Sequence, residues 1–288
     1  MKTKGLLFAG VLCCIGLCCT AWTPKTATEL VELFNNTQDE CVSETIELAG
    51  DLDFTGVHGL PLGLNGTQVK EFCGTFDGHG FAIKNIDISG REGGGLFALL
   101  SNAIVRNLVI DDSCHFSSDY VGVLALIASG TVDVFNVTSH ASVQAIYFGN
   151  LISQFMGGTD CDISLDHCVF GGKVDCLRSE SEISEPFYGG LIGYMLTHTN
   201  TVVSITNSVN NANVTVEMNR GTAYTSGFIG ITASCKNITI NIDNCTNNGF
   251  FDVTSPIAGY GGCIGVIEEM KETTIKVSNF VNNGDISV

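Results

Sequence analysis

The stretch Asp77-Gly78-His79-Gly80 places a carboxylate beside an imidazole between two glycines. Those groups can perform hydrolysis: inverting cleavage of a sugar chain needs one carboxyl acid and one carboxylate base flanking the bond. A second acidic pair, Asp111-Asp112, follows. A purely structural role accounts for the same residues. Asp77 can accept backbone amides of a turn, Gly78 and Gly80 supply positive φ or close approach of chains, and the position of His79 tolerates many polar side chains.

The enzymatic reading resembles the polygalacturonases. They carry Asn-Thr-Asp, Asp-Asp, Gly-His-Gly and Arg-Ile-Lys in that order along a parallel β-helix. Here no Asn-Thr-Asp precedes residue 78, Asp111-Asp112 come after the Gly-His-Gly, and no Arg-Ile-Lys follows. A lyase would need a basic proton acceptor near calcium-binding aspartates, yet Arg91, Arg106, Arg178 and Arg220 are scattered along the chain. The histidines show no metal-ligand spacing, and no Gly-x-Ser-x-Gly occurs. No catalytic residue, metal or cofactor is assigned on this basis.

The elements that must position these residues repeat along the chain. A Gly-plus-apolar string recurs: GGGLFALL from Gly93, VGVLALI from Val121, FGNLISQ from Phe148, YGGLIGY from Tyr188, SGFIGIT from Ser226 and GGCIGVI from Gly261. Each is followed by a second string of the form apolar-x-apolar-x-Asn-x-apolar, with drift in the first and third copies. Aligning the second string gives a column of Asn107, Asn136, His167, Asn207, Asn244 and Asn279, with Asn85 of AIKNIDI ahead of them, at intervals of 22 to 40 residues. Asn-Asn pairs follow in the last three copies, at 210–211, 247–248 and 282–283. Alternating apolar residues between glycine-rich turns mean short half-buried strands, one coil per repeat. Asn tolerates the left-handed bend of a corner, and its amide both donates and accepts from coil to coil. The column is therefore expected at one corner, facing inward.

The opening of the chain reads as a leader and a cap. Lys2 and Lys4 precede the uncharged run Gly5 to Cys19, and the small residues Thr20-Ala21 end it, the pattern of a secretory signal over 1–21. No later span reads as a membrane helix. Residues 22–44 form the cap, with Thr26 or Thr28 as helix N-cap and Leu30, Val31, Leu33 and Phe34 on one stripe. Residues 45–288 carry the repeats. The run ESEISEP from Glu180 reads as an exposed loop.

Together TATELVEL, TIELAGDLDFTG, LPLG, FCGTFDGHGFAIKNIDI, GGLFALL, AIVRNLVI, GGLIGY and IDNCTNNGFFDV resemble the secreted and surface β-helix proteins with GLUG-type repeats, over about residues 26–288. Leu62 stands where that family usually has Ile, and His167 interrupts the Asn column. The resemblance implies a right-handed parallel β-helix, hence an all-β chain with a short N-terminal capping helix. It also implies a role in adhesion and surface display.

Charge and cysteine content narrow the partners. The chain has 13 Lys+Arg against 30 Asp+Glu, a net charge of −17, which disfavours nucleic acid and anionic membranes. An extracellular glycan or surface protein is the expected partner. Of 13 cysteines, nine lie beyond the leader, so disulfides are expected, with at least one thiol free or paired between chains. Cys168 and Cys245 should stand two coils apart and remain unlinked. Sequons occur at Asn35, Asn65, Asn136, Asn213, Asn237 and Asn244. Glycans are expected at Asn35, Asn65, Asn213 and Asn237 only, because Asn136 and Asn244 belong to the column. The competing readings are a polysaccharide hydrolase or lyase of the pectin-lyase-like fold, and a structural fragment of a larger surface assembly.

Overall fold

The computed structural model describes residues 21–90, 93–176, 186–217, 222–255 and 257–287. The leader run, Arg91, Arg178, Arg220 and the Glu180 loop lie outside the described residues.

The helix Ala27–Asn36 covers one end of the molecule. Its N-cap is Thr26, whose Oγ1 accepts the Glu29 amide at 3.2 Å. Ala27, Leu30, Val31 and Phe34 face the core. At the other helix end, Lys70 Nζ donates to the carbonyls of Phe34 and Thr37 at 2.6 and 2.5 Å. A cation there satisfies carbonyls left without helical partners.

From Cys41 onward the chain coils as β-structure. Each coil lays its strands parallel to those of the previous coil: Thr75–Asp77 on Thr45–Glu47, Phe97–Ile110 on Thr75–Asp77, Ala125–Ser139 on Phe97–Ile110, and so on to Thr274–Ser278 on Lys236–Asp243. The hairpin Leu64–Asn65/Gln68–Val69 is antiparallel. The result is an all-β, β-helix-like stack of curled parallel sheets.

Apolar side chains from each turn stack inside as columns. Phe72, Phe76 and Phe97 cluster under the cap helix, with Phe72 and Phe97 at 5.1 Å. Below them runs a column of aliphatic residues: Val105, Val134, Leu165, Ile205 and Ile242 are all essentially buried. The Gly-plus-apolar strings form a sharp bend. A Cβ on Gly122, Gly149, Gly189 or Gly261 would collide with the carbonyl oxygen of Ala125, Ile152, Ile192 or Ile264 respectively. Close backbone approach, rather than loop flexibility, explains why glycine recurs there.

Ile275, Val277 and Ile286 are 36%, 47% and 38% exposed, whereas their partners one coil earlier, Ile240, Ile242 and Phe251, are at most 1% exposed.

Cys41 and Cys73 are joined, with Cα atoms 6.0 Å apart. Cys114, Cys161, Cys168, Cys235 and Cys245 are buried free thiols. Cys168 and Cys245 are separated by Ser208: the Cys168 amide donates to Ser208 Oγ, and the Thr246 amide to the Ser208 carbonyl. Burial pushes the Cys114 thiol up to about 11 and Cys168 up to about 12, so both stay protonated at neutral pH.

Candidate functional site

The strand Thr75–Asp77 ends in the bend Gly78-His79-Gly80, where His79 and Gly80 take φ of 49° and 82°. Asp77 is 4% exposed. Its Oδ1 accepts the His79 amide at 2.9 Å and Asn107 Nδ2 at 3.0 Å, and its Oδ2 accepts Arg106 Nε at 2.7 Å. Burial works to raise the Asp77 pKa. The hydrogen bonds from Asn107, the His79 amide and Arg106 outweigh it and hold the carboxyl below its usual range. A general acid needs a raised pKa, and a general base needs a lone pair open to substrate. Asp77 has a lowered pKa and spends its oxygens on scaffold donors. The His79 ring is about half exposed, 3.7 Å from Glu47 and 3.9 Å from Asp77.

The Asp77 arrangement recurs. Asp166 accepts Asn207 Nδ2 at 2.7 Å and Thr206 Oγ1 at 2.6 Å. Asp243 accepts Asn279 Nδ2 at 2.9 Å and Ser278 Oγ at 2.7 Å. Each time an aspartate just before the bend of one coil holds the Asn of the next. The Asn side chains then relay onward: Asn136 donates to Asn107 at 2.9 Å, and Asn244 donates to Asn207 at 2.7 Å. His167 occupies its place in the column by pairing Nδ1 with Asp166 at 2.9 Å. Strand registers align Asn107, Asn136, His167, Asn207, Asn244 and Asn279, and all six have φ between 49° and 53°.

Two features of the expected column are corrected. Asn85 does not belong to it. The register of Arg106 with Asp77 and Val109 with Ala82 puts Gly78-His79-Gly80 opposite Asn107. Asn85, also left-handed, sits at the next corner, where its Nδ2 donates to Asp53 and its amide donates to Ser113 Oγ. The column also does not face inward: Asn136, His167, Asn244 and Asn279 are exposed, and Asn107 and Asn207 are half-buried. The first members of the later Asn pairs form a second ladder, buried at Asn210 and Asn247 and exposed at Asn282. Asn210 donates to Asn247 at 2.9 Å, and Asn247 to Asn282 at 2.7 Å. Asn210 and Asn247 are fully buried.

A further column escaped sequence reading. Asn102, Asp160, Asn200, Asn237 and Glu272 all have φ of 52° to 59°. Within it Asn237 Nδ2 donates to Asn200 at 2.8 Å, and Asn200 Nδ2 to Asp160 at 3.1 Å. The sequon Asn237 is therefore a stacked residue. Asn35, Asn65 and Asn213 are exposed.

An aromatic stack was also missed. Tyr120, Tyr147, Phe187 and Tyr224 lie on successive coils with centroids 4.7, 6.0 and 5.4 Å apart and planes within 27° of parallel. Its signal was present, since each ring stands two residues before the bend that ends in Gly122, Gly149, Gly189 or Ser226. The rings cover one another's faces, which leaves mainly edges for solvent. Among the described residues, no group of three or more His, Cys, Asp or Glu is placed to hold a metal ion. A shallow pocket beside the cap helix is lined by Trp22, Lys25, Glu29, Glu32 and Leu33.

No protein-family model matches the chain. A 122-residue part, 41% of the chain, is 34% identical to Halomucin of Haloquadratum walsbyi, and the match spans 1% of that protein's length. Among solved structures, a putative immunoglobulin A1 protease from Bacteroides ovatus superposes over 93% of this chain and 84% of its own, with TM-score 0.58 and 13% identity. A second structure, an IgA1 protease, matches 93% of this chain and 21% of its own, with TM-score 0.52 and 17% identity. At these identities the likeness is one of fold.

Proposed function

We propose that the chain is a secreted, right-handed parallel β-helix that acts by binding and display, presenting a side of the solenoid to an extracellular glycan or surface protein. In this reading residues 1–21 are a cleaved signal, 22–44 cap the solenoid and 45–288 form it. The observation that carries the binding role over cleavage is the state of Asp77. It is ionised, buried and fully engaged by Asn107, the His79 amide and Arg106. The same latch recurs at Asp166 and Asp243, where no Gly-His-Gly stands nearby.

Other features support the reading. The leader-like opening and a disulfide suit an oxidising compartment. The two fold neighbours are named for immunoglobulin A1. Among the described residues no helix is long and apolar enough to cross a membrane. The GLUG-type resemblance and glycosylation at Asn35, Asn65 and Asn213 belong to the same proposal.

The test is a glycan and surface-protein binding panel run beside a reducing-sugar release assay on the purified secreted chain. Saturable binding with no sugar release is expected. Release of reducing ends that scales with protein concentration would reverse the proposal.

A further inference from the structure

An asparagine side chain is most open to attack by the next backbone nitrogen when glycine follows, because glycine puts no Cβ in the way and leaves the backbone free to turn. The chain has three such pairs: Asn65-Gly66, Asn248-Gly249 and Asn283-Gly284. The fold treats them differently.

Asn248 and Asn283 are built into the stack of coils. Asn248 Nδ2 donates to Asn211 at 2.9 Å, and its Oδ1 accepts Asn283 Nδ2 at 2.9 Å. Their backbone amides donate to the Asn210 and Asn247 carbonyls, each at 2.7 Å. The glycines that follow are wedged. A Cβ on Gly249 would stand 2.8 Å from the Ala212 carbonyl oxygen, and one on Gly284 would collide with the Gly249 carbonyl oxygen. The Gly249 amide is itself engaged, donating to Asn247 Oδ1 at 3.2 Å.

Asn65 has none of these restraints. It stands opposite Gln68 in the hairpin, so Gly66 and Thr67 form a two-residue turn. Gly66 has φ of 60°, and apart from its chain neighbours no atom lies within 4 Å of where its Cβ would be. Asn65 is exposed, and neither its side chain nor the Gly66 amide makes a hydrogen bond among the described residues.

We infer that Asn65 is a site of spontaneous deamidation. The Gly66 nitrogen bonds to Asn65 Cγ and gives up its proton, and the side-chain nitrogen leaves as ammonia, closing a cyclic imide. Water then adds to either imide carbonyl and opens the ring to aspartate or isoaspartate. One water enters, one ammonia leaves, and nothing is oxidised or reduced. Each conversion adds a carboxylate to the hairpin tip and removes the Asn-Gly-Thr sequon. Ring closure and a glycan therefore compete for the same side-chain nitrogen. The inference does not depend on the display reading.

The test uses the folded chain, secreted from a bacterium that attaches no glycan at this sequon. It is incubated at mildly alkaline pH in heavy-oxygen water, which labels every opened ring. Peptide mass spectrometry reads the label site by site, and isoaspartyl methyltransferase reads the isomer. Asn65 converts at least about tenfold faster than Asn248, since the two hydrogen bonds of Asn248 and the wedged Gly249 must open first. In urea the three sites converge. Thr67→Ala, which removes the sequon and keeps Asn-Gly, converts like the unaltered chain, and Gly66→Ala is slowed at Asn65 alone. Three results would overturn the site: no label at Asn65 over a period in which the urea-unfolded chain converts, Asn248 converting as fast as Asn65 in the folded chain, or an Asn65 lead that persists unchanged in urea.

Discussion

At Gly78-His79-Gly80 the backbone, not the imidazole, is the constrained part. A Cβ on Gly78 would collide with the Asn107 carbonyl and stand 2.9 Å from Leu108 Cα, both backbone atoms that cannot move aside cheaply. Gly78→Val should therefore cost about 3 kcal/mol or more, or abolish secretion. His79→Ala should cost less than about 1 kcal/mol, because it keeps the amide that donates to Asp77. Denaturant midpoints of the two variants check the ordering. Asn107 offers a second comparison. Its φ of 51° and its bond to Asp77 are separable. Asn107→Gly loses the bond but keeps the left-handed bend at ease, so it should be less destabilising than Asn107→Ala, by about 1 kcal/mol. Glycan occupancy follows the amide nitrogens. Those of Asn136, Asn237 and Asn244 are donated to neighbouring coils, whereas Asn35, Asn65 and Asn213 are exposed and outside these columns. Glycopeptide mass spectrometry on protein secreted from a eukaryotic host should find occupancy concentrated at Asn35, Asn65 and Asn213.

Strands and corners were partly legible in the sequence. The cap helix, the alternation of core residues and six of the seven column members could be read because each depends on local pattern. Asn85 could not be placed, because AIKNIDI matches the same local pattern while inter-coil register sends it to a different corner. The column with Asn102, Asp160, Asn200, Asn237 and Glu272 was hidden for another reason: its members share a backbone conformation, not a residue type. The Asn pairs were visible, but which member turned inward depends on the phase of a two-residue strand such as Val209–Asn210. His198 has no role that could be read from the sequence. It is fully buried, stacked on Phe155 at 3.9 Å, with Nε2 at 3.0 Å from the Phe155 carbonyl and Nδ1 unpartnered. Burial holds its pKa below the ordinary value. The unfolded chain thus binds a proton more readily, and stability is full above about pH 6.5 and falls as pH drops below that value. Asp77 and Asp166 have depressed pKa values, so their contribution is present above about pH 4 and is lost as pH falls further. Melting temperature against pH should decline in these two windows. His198→Leu should remove the upper decline, whatever it does to the absolute melting temperature.

The whole molecule is asymmetric along its axis. The cap helix buries one end, while the last coil leaves Ile275, Val277 and Ile286 open. Truncation to alanine in one column should thus have different effects along the stack of coils. Ile242→Ala, at a fully buried site, should cost about 2 to 5 kcal/mol, and Val277→Ala, one coil on and 47% exposed, under about 1 kcal/mol. Urea unfolding of both variants measures the difference. The chain-long column of bends sets where the outer face lies, and that depends on the register between coils rather than on local pattern. The sequence did contain the reason to doubt a hydrolase, the incomplete and misordered motif set. It did not show that Asp77 latches one coil to the next through Arg106 and Asn107. Asp77→Asn tests that claim most directly, assayed for thermal stability and for reducing-end release from a panel of polysaccharides alongside the unaltered chain. The account predicts a melting temperature lowered by several degrees and no sugar release from either protein. Release by the unaltered chain that disappears in a folded Asp77→Asn variant with unchanged melting temperature would contradict it.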